Sequence, residues 1–83
     1  MSSSTTNAAL GRLRWMCRRG MKELDVLLER WLAAHGAAAP ARDLVLFESL
    51  LQWQDPELVR FLIAGEIHSD PEYATLLQAI RGV

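Results

Sequence analysis

Residues that start and stop helices constrain this chain more than any other feature of its sequence. The triplet Asp-Pro-Glu occurs twice, at residues 55–57 and 70–72. In such a triplet the aspartate can cap a helix, the proline fits the first turn, and the glutamate favours the positive end of the helix dipole. Gly20, Gly36 and Gly65 stand where helices are expected to end. Apolar residues recur at helical spacing between these signals, and no segment alternates as a strand does.

These signals predict an all-α fold, a compact single-domain bundle of about five short helices. We place the helices at about residues 8–18, 21–35, 42–53, 55–64 and 70–81. A chain of 83 residues has room for one domain. Residues 1–7 are expected to form a disordered tail, and residues 8–83 the helical domain. The inward-facing positions are predicted to be Leu10, Leu13, Cys17, Met21, Leu24, Leu28, Trp31, Leu32, His35, Leu44, Phe47, Leu50, Leu51, Tyr73, Leu76, Leu77 and Ile80.

Composition excludes several classes of protein. One cysteine allows no internal disulfide, and no apolar run reaches the ~20 residues of a membrane span, so we expect no direct membrane insertion. Five basic residues and one acidic residue lie up to Glu23, and four basic and nine acidic residues follow it. A basic end favours an anionic partner, whereas the acidic remainder argues against nucleic-acid binding. We expect a cytoplasmic protein.

The chemically richest stretch is Arg14-Trp15-Met16-Cys17-Arg18-Arg19-Gly20-Met21-Lys22-Glu23-Leu24-Asp25, which joins the first two predicted helices. A helical hairpin needs only the glycine and the apolar positions. Gly20 is expected to end the first helix, and its missing side chain also lets a partner's backbone approach. Arg18 and Arg19 are either a solvated charged face or a bidentate contact to a carboxylate or phosphate.

Three further residues of this region allow two interpretations each. Glu23 either interacts with the dipole of the second helix, worth about 0.3–1 kcal/mol, or contacts a partner beside the exposed Val26. Trp15 lies off the apolar stripe, so it either packs against another helix or anchors an interface. Cys17 lies on the core stripe and is expected to be a buried, inert thiol.

The order of these residues resembles that of a small helical family, the SdhE-type FAD assembly factors. The family's hallmark Arg-Gly-x-x-Glu is read here as Arg19, Gly20 and Glu23. A second matching block comprises Phe47, Leu50, Leu51, Asp55 and Leu58, so the resemblance covers roughly residues 10–80. Phe61 stands where family members often carry tryptophan, which we interpret as an apolar substitute in the core.

The resemblance implies an assembly factor that binds the flavoprotein subunit of succinate dehydrogenase, and in some bacteria that of fumarate reductase, and promotes covalent attachment of FAD. The candidate partner-binding residues are Trp15, Arg18, Arg19, Gly20, Glu23 and Val26. We expect no enzymatic activity and no metal ligands, since His35 and His68 are far apart in sequence. No cofactor is expected to be bound stably, the FAD being that of the client, and the free protein is expected to be a monomer.

Two alternatives remain open at the level of sequence. A small bundle with a basic end is also compatible with a regulatory protein-binding module, such as an antitoxin-like partner. A carrier of FAD is a third possibility, although the sequence has no glycine-rich loop that would cradle phosphates.

Overall fold

Helices account for all the regular secondary structure in residues 2–82, the part of the backbone that this computed structural model describes; side chains are described for residues 8–82. The elements are α1 (Ser2–Met16), α2 (Lys22–His35), α3 (Ala41–Leu50), α4 (Asp55–Leu58) and α5 (Pro71–Arg81). Helix α4 passes directly into a π-helical segment, Val59–Ile63. The predicted all-α, single-domain fold of five helices is confirmed.

One apolar core joins the helices. Helix α2 packs against α1, α5 and the π-helical segment, and α3 packs against α5. The buried side chains are Leu13, Cys17, Leu24, Leu28, Trp31, Leu32, Phe47, Leu50, Leu51, Leu58, Phe61, Leu62, Leu76, Leu77 and Ile80. Phe61 is among them, as expected for a core residue, and Trp31 stacks on Phe47 with ring centroids 4.6 Å apart.

Two residues predicted to face inward do not. Met21 and His35 are both exposed, so these two predictions were wrong. Met21 precedes α2 in an extended conformation, with φ −115° and ψ 109°, so helical spacing does not apply to its side chain. His35 is the last residue of the same helix, where its ring centroid lies 5.8 Å from that of Trp31 while the side chain stays exposed.

Several helix boundaries also differ from the predicted ones. Helix α1 begins at Ser2 rather than Ala8, and it ends at Met16 because the last turn tightens: the Arg18 amide donates to the Trp15 carbonyl, only three residues back. Although the backbone of residues 2–7 continues α1, Met1 and the side chains of residues 2–7 lie outside the described part of the chain, so the division into a tail of residues 1–7 and a domain of residues 8–83 stays a prediction. Helix α3 ends at Leu50 rather than Trp53, and short-range bonds again close its last turn.

The two Asp-Pro-Glu triplets both begin or adjoin a helix, but only one of their aspartates caps it. Asp70 caps α5 as predicted, its carboxylate accepting from the Glu72 amide at 2.9 Å. Asp55 does not cap α4: Gln54 occupies the cap position, and no side chain there bonds to the helix backbone. The prediction for Asp55 was wrong because its carboxylate accepts a hydrogen bond from the distant Arg19 instead.

Gly36 caps α2 as predicted, but for a different reason. The φ of Gly36 is −56°, a right-handed angle, so this cap does not need the left-handed conformations that glycine permits. A Cβ atom at this position would lie 3.0 Å from Leu10 Cδ2 and 2.5 Å from the Leu32 carbonyl oxygen. The absence of a side chain therefore allows α1 to pack closely against the end of α2.

Candidate functional site

The turn between α1 and α2, residues 17–21, is the chemically richest surface of the described chain, and we call it the α1–α2 corner. Gly20 makes the turn with φ +84°, a left-handed conformation that residues with side chains rarely adopt. The Asp25 carboxylate, in the first turn of α2, accepts from the Arg19 amide at 2.8 Å. A glycine and an aspartate thus set the path of the backbone at this corner.

The Arg19 guanidinium fastens the corner to the loop between α3 and α4. Its Nε donates to Asp55 Oδ1 at 2.9 Å, and its two Nη atoms donate to the backbone carbonyls of Leu51 at 2.6 Å and Trp53 at 2.7 Å. The side chain is only 17% exposed. These contacts, which we call the Arg19 clamp, use the fork of donors that a lysine lacks. Neither interpretation of Arg19 made from the sequence included an intramolecular role.

Arg18 lies beside Arg19 in sequence and points the other way. It is exposed, and its guanidinium carbon lies 6.0 Å from the ring centroid of Trp15, a cation–π arrangement at the limit of its range. Trp15 is 72% exposed. Of the two interpretations of Trp15, packing against another helix is therefore not observed among the described residues. Tryptophan and arginine together supply the side chains that most often dominate binding energy at interfaces.

Gly20 faces open space. A Cβ atom placed on it would meet no atom of the described chain within 4 Å. The fold therefore needs glycine here for its backbone angles and not for room. The empty space in front of Gly20 is accessible to the backbone of another molecule.

Glu23 and Val26 lie on the exposed side of α2, next to the corner. Val26 is 53% exposed. The Glu23 carboxylate has no hydrogen bond or ion pair with any residue whose side chain is described. Arg30, which the helical spacing places on the same face, donates instead to the carbonyls of Ile80 and Arg81 at 3.2 Å each, at the end of α5.

Several residues of this region have roles that the sequence did not predict. Asp25 and Asp55 hold the corner, whereas the sequence suggested a helix cap and a place in the second matching block for Asp55, and no contact with Arg19. Leu27 and Ile63 join Val26 in a surface groove. The sequence carried no signal for the pairing of Asp55 with Arg19, since a contact over 36 residues leaves no local pattern. Asp25 was detectable in principle, because aspartate in a first helical turn often accepts from a nearby amide.

The Cys17 thiol, at the first residue of the corner, is fully buried. Burial raises its pKa from 9.0 to about 12, and the nearby carboxylates of Glu29 and Asp25 add to the effect, against an opposing influence of Arg19 and Arg14. At neutral pH the sulfur is therefore a thiol and not the nucleophilic thiolate. This agrees with the inert core residue predicted from the sequence.

The described residues contain neither a metal-binding cluster nor a membrane-spanning helix. No group of three or more histidine, cysteine, aspartate or glutamate side chains among them is arranged to hold a metal ion. No helix within residues 2–82 is both long and apolar enough to cross a membrane.

The known proteins that this chain is similar to all point to one family. The model of the Sdh5 family, described as "Flavinator of succinate dehydrogenase", matches residues 11–83. A protein of Shewanella oneidensis named FAD assembly factor SdhE is 41% identical over 73 residues, which are 88% of this chain and 89% of that protein. Proteins of the same name from Xylella fastidiosa strain 9a5c and Methylococcus capsulatus are similar as well.

The Xylella protein is 38% identical over 76 residues, covering 92% of this chain and 78% of its own. The Methylococcus protein is 43% identical over 75 residues, covering 88% of both chains. No solved structure matches this chain. The matched region includes the whole of the α1–α2 corner.

Proposed function

Because this chain belongs to the Sdh5 family of succinate dehydrogenase flavinators, we propose that it binds the flavoprotein subunit of succinate dehydrogenase and promotes covalent attachment of FAD to it. The observation that carries this proposal is the surface formed by the α1–α2 corner and the first turn of α2, which displays Gly20 and Glu23 to solvent on a backbone held by the Arg19 clamp. We extend the proposal to the flavoprotein subunit of fumarate reductase as a second client. The free protein is proposed to be a cytoplasmic monomer.

Five residues in or next to the corner have a part in the proposed contact. The client's backbone comes close at Gly20, where no side chain intervenes. Glu23 pairs with a cation of the client, and Arg18 binds a carboxylate of the client or the pyrophosphate of its flavin. Trp15 anchors the edge of the interface. Arg19 acts as a positioning residue, since its donors are already engaged within the chain.

The proposed mechanism is catalysis by positioning. The reacting atoms belong to the flavin and to a side chain of the client, and this chain supplies binding energy for one client conformation. Holding two reacting groups in a productive geometry can lower a barrier by about 7–11 kcal/mol without any added catalytic group. A rigid docking surface suits this role, and the Arg19 clamp supplies rigidity at the corner. No stably bound cofactor of this chain takes part in the proposal.

The proposal is tested by replacing Glu23 and, as a matched control, a second exposed glutamate, Glu57. A strain that lacks the chromosomal gene would carry wild-type protein, Glu23→Ala or Glu57→Ala. Both glutamates are exposed and lie in the first turn of a helix, so each substitution removes a similar contact with the helix dipole. The readout is the covalent flavin fluorescence of the flavoprotein band in a denaturing gel. We expect Glu23→Ala to reduce this fluorescence about tenfold, because losing one charged interface contact worth about 1.4 kcal/mol weakens binding by that factor. Glu57→Ala should match the wild type.

The levels of both variants would be measured by immunoblot in the same cells. Equal fluorescence in all three strains, with all proteins present at equal levels, would contradict the proposed role of Glu23. A wild-type protein that retains no flavoprotein in a pull-down would contradict the proposed function itself.

A further inference from the structure

A shallow apolar groove continues the exposed surface of the corner along α2. It is lined by Lys22, Glu23, Val26, Leu27 and Ile63, and it encloses about 310 Å³. Val26 is 53% exposed and Ile63 is 38% exposed, while Leu27 packs partly against the core. The floor and walls of the groove are thus aliphatic, and a charged residue of the Arg-Gly-x-x-Glu motif stands at its rim.

The π-helical segment Val59–Ile63 contributes the wall opposite α2. The Ala64 amide donates to the Val59 carbonyl five residues back, at 2.8 Å, which widens this turn relative to an α-helix. Phe61 and Leu62 are both buried, whereas Ile63 emerges beside Val26. π-Helical turns are rare and are frequent at functional sites. An unusual backbone form therefore presents an exposed isoleucine next to the motif.

The size of the groove argues against a second copy of the chain as its occupant. A stable interface buries about 800 Å² on each partner. Three partly covered aliphatic side chains offer far less than that. As a part of a larger face that already includes Gly20 and Glu23, the same groove is sufficient to take one side chain.

The charges at the rim indicate what accompanies that side chain. The Glu23 carboxylate has no ion pair among the residues with described side chains, so a cation can reach it. The alkyl stem of Lys22 extends the apolar wall. Resting on the proposed function, we propose that the groove receives one aliphatic or aromatic side chain of the flavoprotein client, next to a basic client residue that pairs with Glu23.

The groove is tested with variants that change its polarity and keep the helices. Val26→Ser and Ile63→Ser remove apolar surface, Val26→Thr keeps the branched shape, and Val45→Ser is the control. Val45 is 66% exposed on α3 and does not line the groove. Affinity for the purified flavoprotein subunit would be measured by titration calorimetry. We expect Val26→Ser to weaken binding about five- to thirtyfold, Val26→Thr less, and Val45→Ser by no more than about twofold.

The salt dependence of binding separates the two parts of the proposed contact. Glu23→Gln should weaken binding more at low than at high ionic strength, because salt screens the pairing with the client's cation. The factor lost in Val26→Ser should be the same at both ionic strengths, since it reflects apolar contact. A loss in Glu23→Gln that does not change with salt would overturn the proposed basic neighbour.

The possible failures can be told apart. If the wild type binds the flavoprotein but Val26→Ser and Ile63→Ser bind it equally well, the groove has no client side chain and the proposed function stands. If the wild type does not bind the flavoprotein at all, the proposed function fails and the inference fails with it. If sedimentation shows a wild-type dimer that Val26→Ser dissociates, the occupant is a second copy and the inference is overturned.

Discussion

Arg18 and Arg19 show how two adjacent residues of the same type acquire different roles. Arg18 lies on the surface over the face of Trp15, whereas Arg19 turns inward and donates to Asp55 and to two backbone carbonyls. The Leu51 and Trp53 carbonyls follow the end of α3, where helix bonds no longer satisfy them. A guanidinium satisfies both carbonyls and the carboxylate at once. The hallmark arginine of the motif therefore supports the corner from within.

Gly20 is predicted to be required for its backbone angles. Gly20→Ala should lower the free energy of unfolding by about 1–2 kcal/mol, because φ is +84° there and a Cβ disfavours left-handed angles. Gly11→Ala is the matched control: Gly11 lies inside α1 with nothing within 4 Å of an added Cβ, so alanine should raise stability by about 0.5–1 kcal/mol. Urea denaturation followed by circular dichroism measures both changes. Equal effects of the two substitutions would contradict the argument.

Gly20→Asn separates stability from function at this position. Asparagine tolerates left-handed angles better than alanine does, so this variant should be the more stable of the two. Its side chain nevertheless fills the open space before Gly20. We expect reduced flavinylation of the client by a folded protein, and full activity of this variant would show that no close approach occurs there.

Cys17 is predicted to make stability depend on pH in the alkaline range. Its pKa is 9.0 in an unfolded chain and rises to about 12 in the folded protein. The folded state holds the proton more tightly, so this contribution is fully present below pH 9 and is lost as the pH rises towards 12.

The measurement compares wild type with Cys17→Ala. Between pH 9 and 11, the unfolding free energy of the wild type should fall more steeply with pH, by up to about 1.4 kcal/mol per pH unit. All other titrating groups are common to both proteins, so the difference reports on Cys17. Parallel pH profiles would mean that the thiol titrates alike in the folded and unfolded states.

At the level of elements, the two Asp-Pro-Glu triplets are a natural comparison. Asparagine caps a helix about as well as aspartate, so Asp70→Asn should change the free energy of unfolding by only a few tenths of a kcal/mol. Asp55→Asn removes the charge that the Arg19 clamp holds, and it should lower stability by about 1–2 kcal/mol. The carboxylate of Asp55 is partly exposed, which places the expected value towards the lower end.

Thermal unfolding of both variants at low and high salt provides the test. Asp55→Asn should lower the melting temperature more than Asp70→Asn does, and the gap should narrow as salt screens the partly exposed pair. A larger fall in melting temperature for Asp70→Asn than for Asp55→Asn would contradict the assignment of Asp55 to the Arg19 clamp and of Asp70 to the helix cap.

The π-helical segment decides which of its side chains are buried and which reach the surface. It allows α4 and its continuation to bury Leu58, Phe61 and Leu62 while leaving Ile63 at the surface beside α2. The proposed docking face therefore extends from one helix to another. No residue of the predicted partner-binding set lies in this part of the chain.

In the whole molecule, contacts between distant parts of the chain hold the proposed face in place. The Arg19 clamp joins the corner to residues 51–55, and Arg30 joins the middle of α2 to the end of α5. Helix α2 lies between α1, α5 and the π-helical segment. The exposed side of α2, with Glu23 and Val26, is consequently the surface of a well-supported element.

The sequence by itself determined the all-α fold, the number of helices, most of the core and the family. These properties depend on helical periodicity and on signals within a few residues, which the sequence displays directly. Tertiary structure decided that Asp55 binds Arg19 whereas Asp70 caps a helix, although each is the first residue of an Asp-Pro-Glu triplet. It also decided that Ile63 and Val26 line the same groove. The physical reason is that Arg19 and Asp55, like Val26 and Ile63, are more than thirty positions apart, so the energy of each pairing depends on where the folded chain brings the two residues.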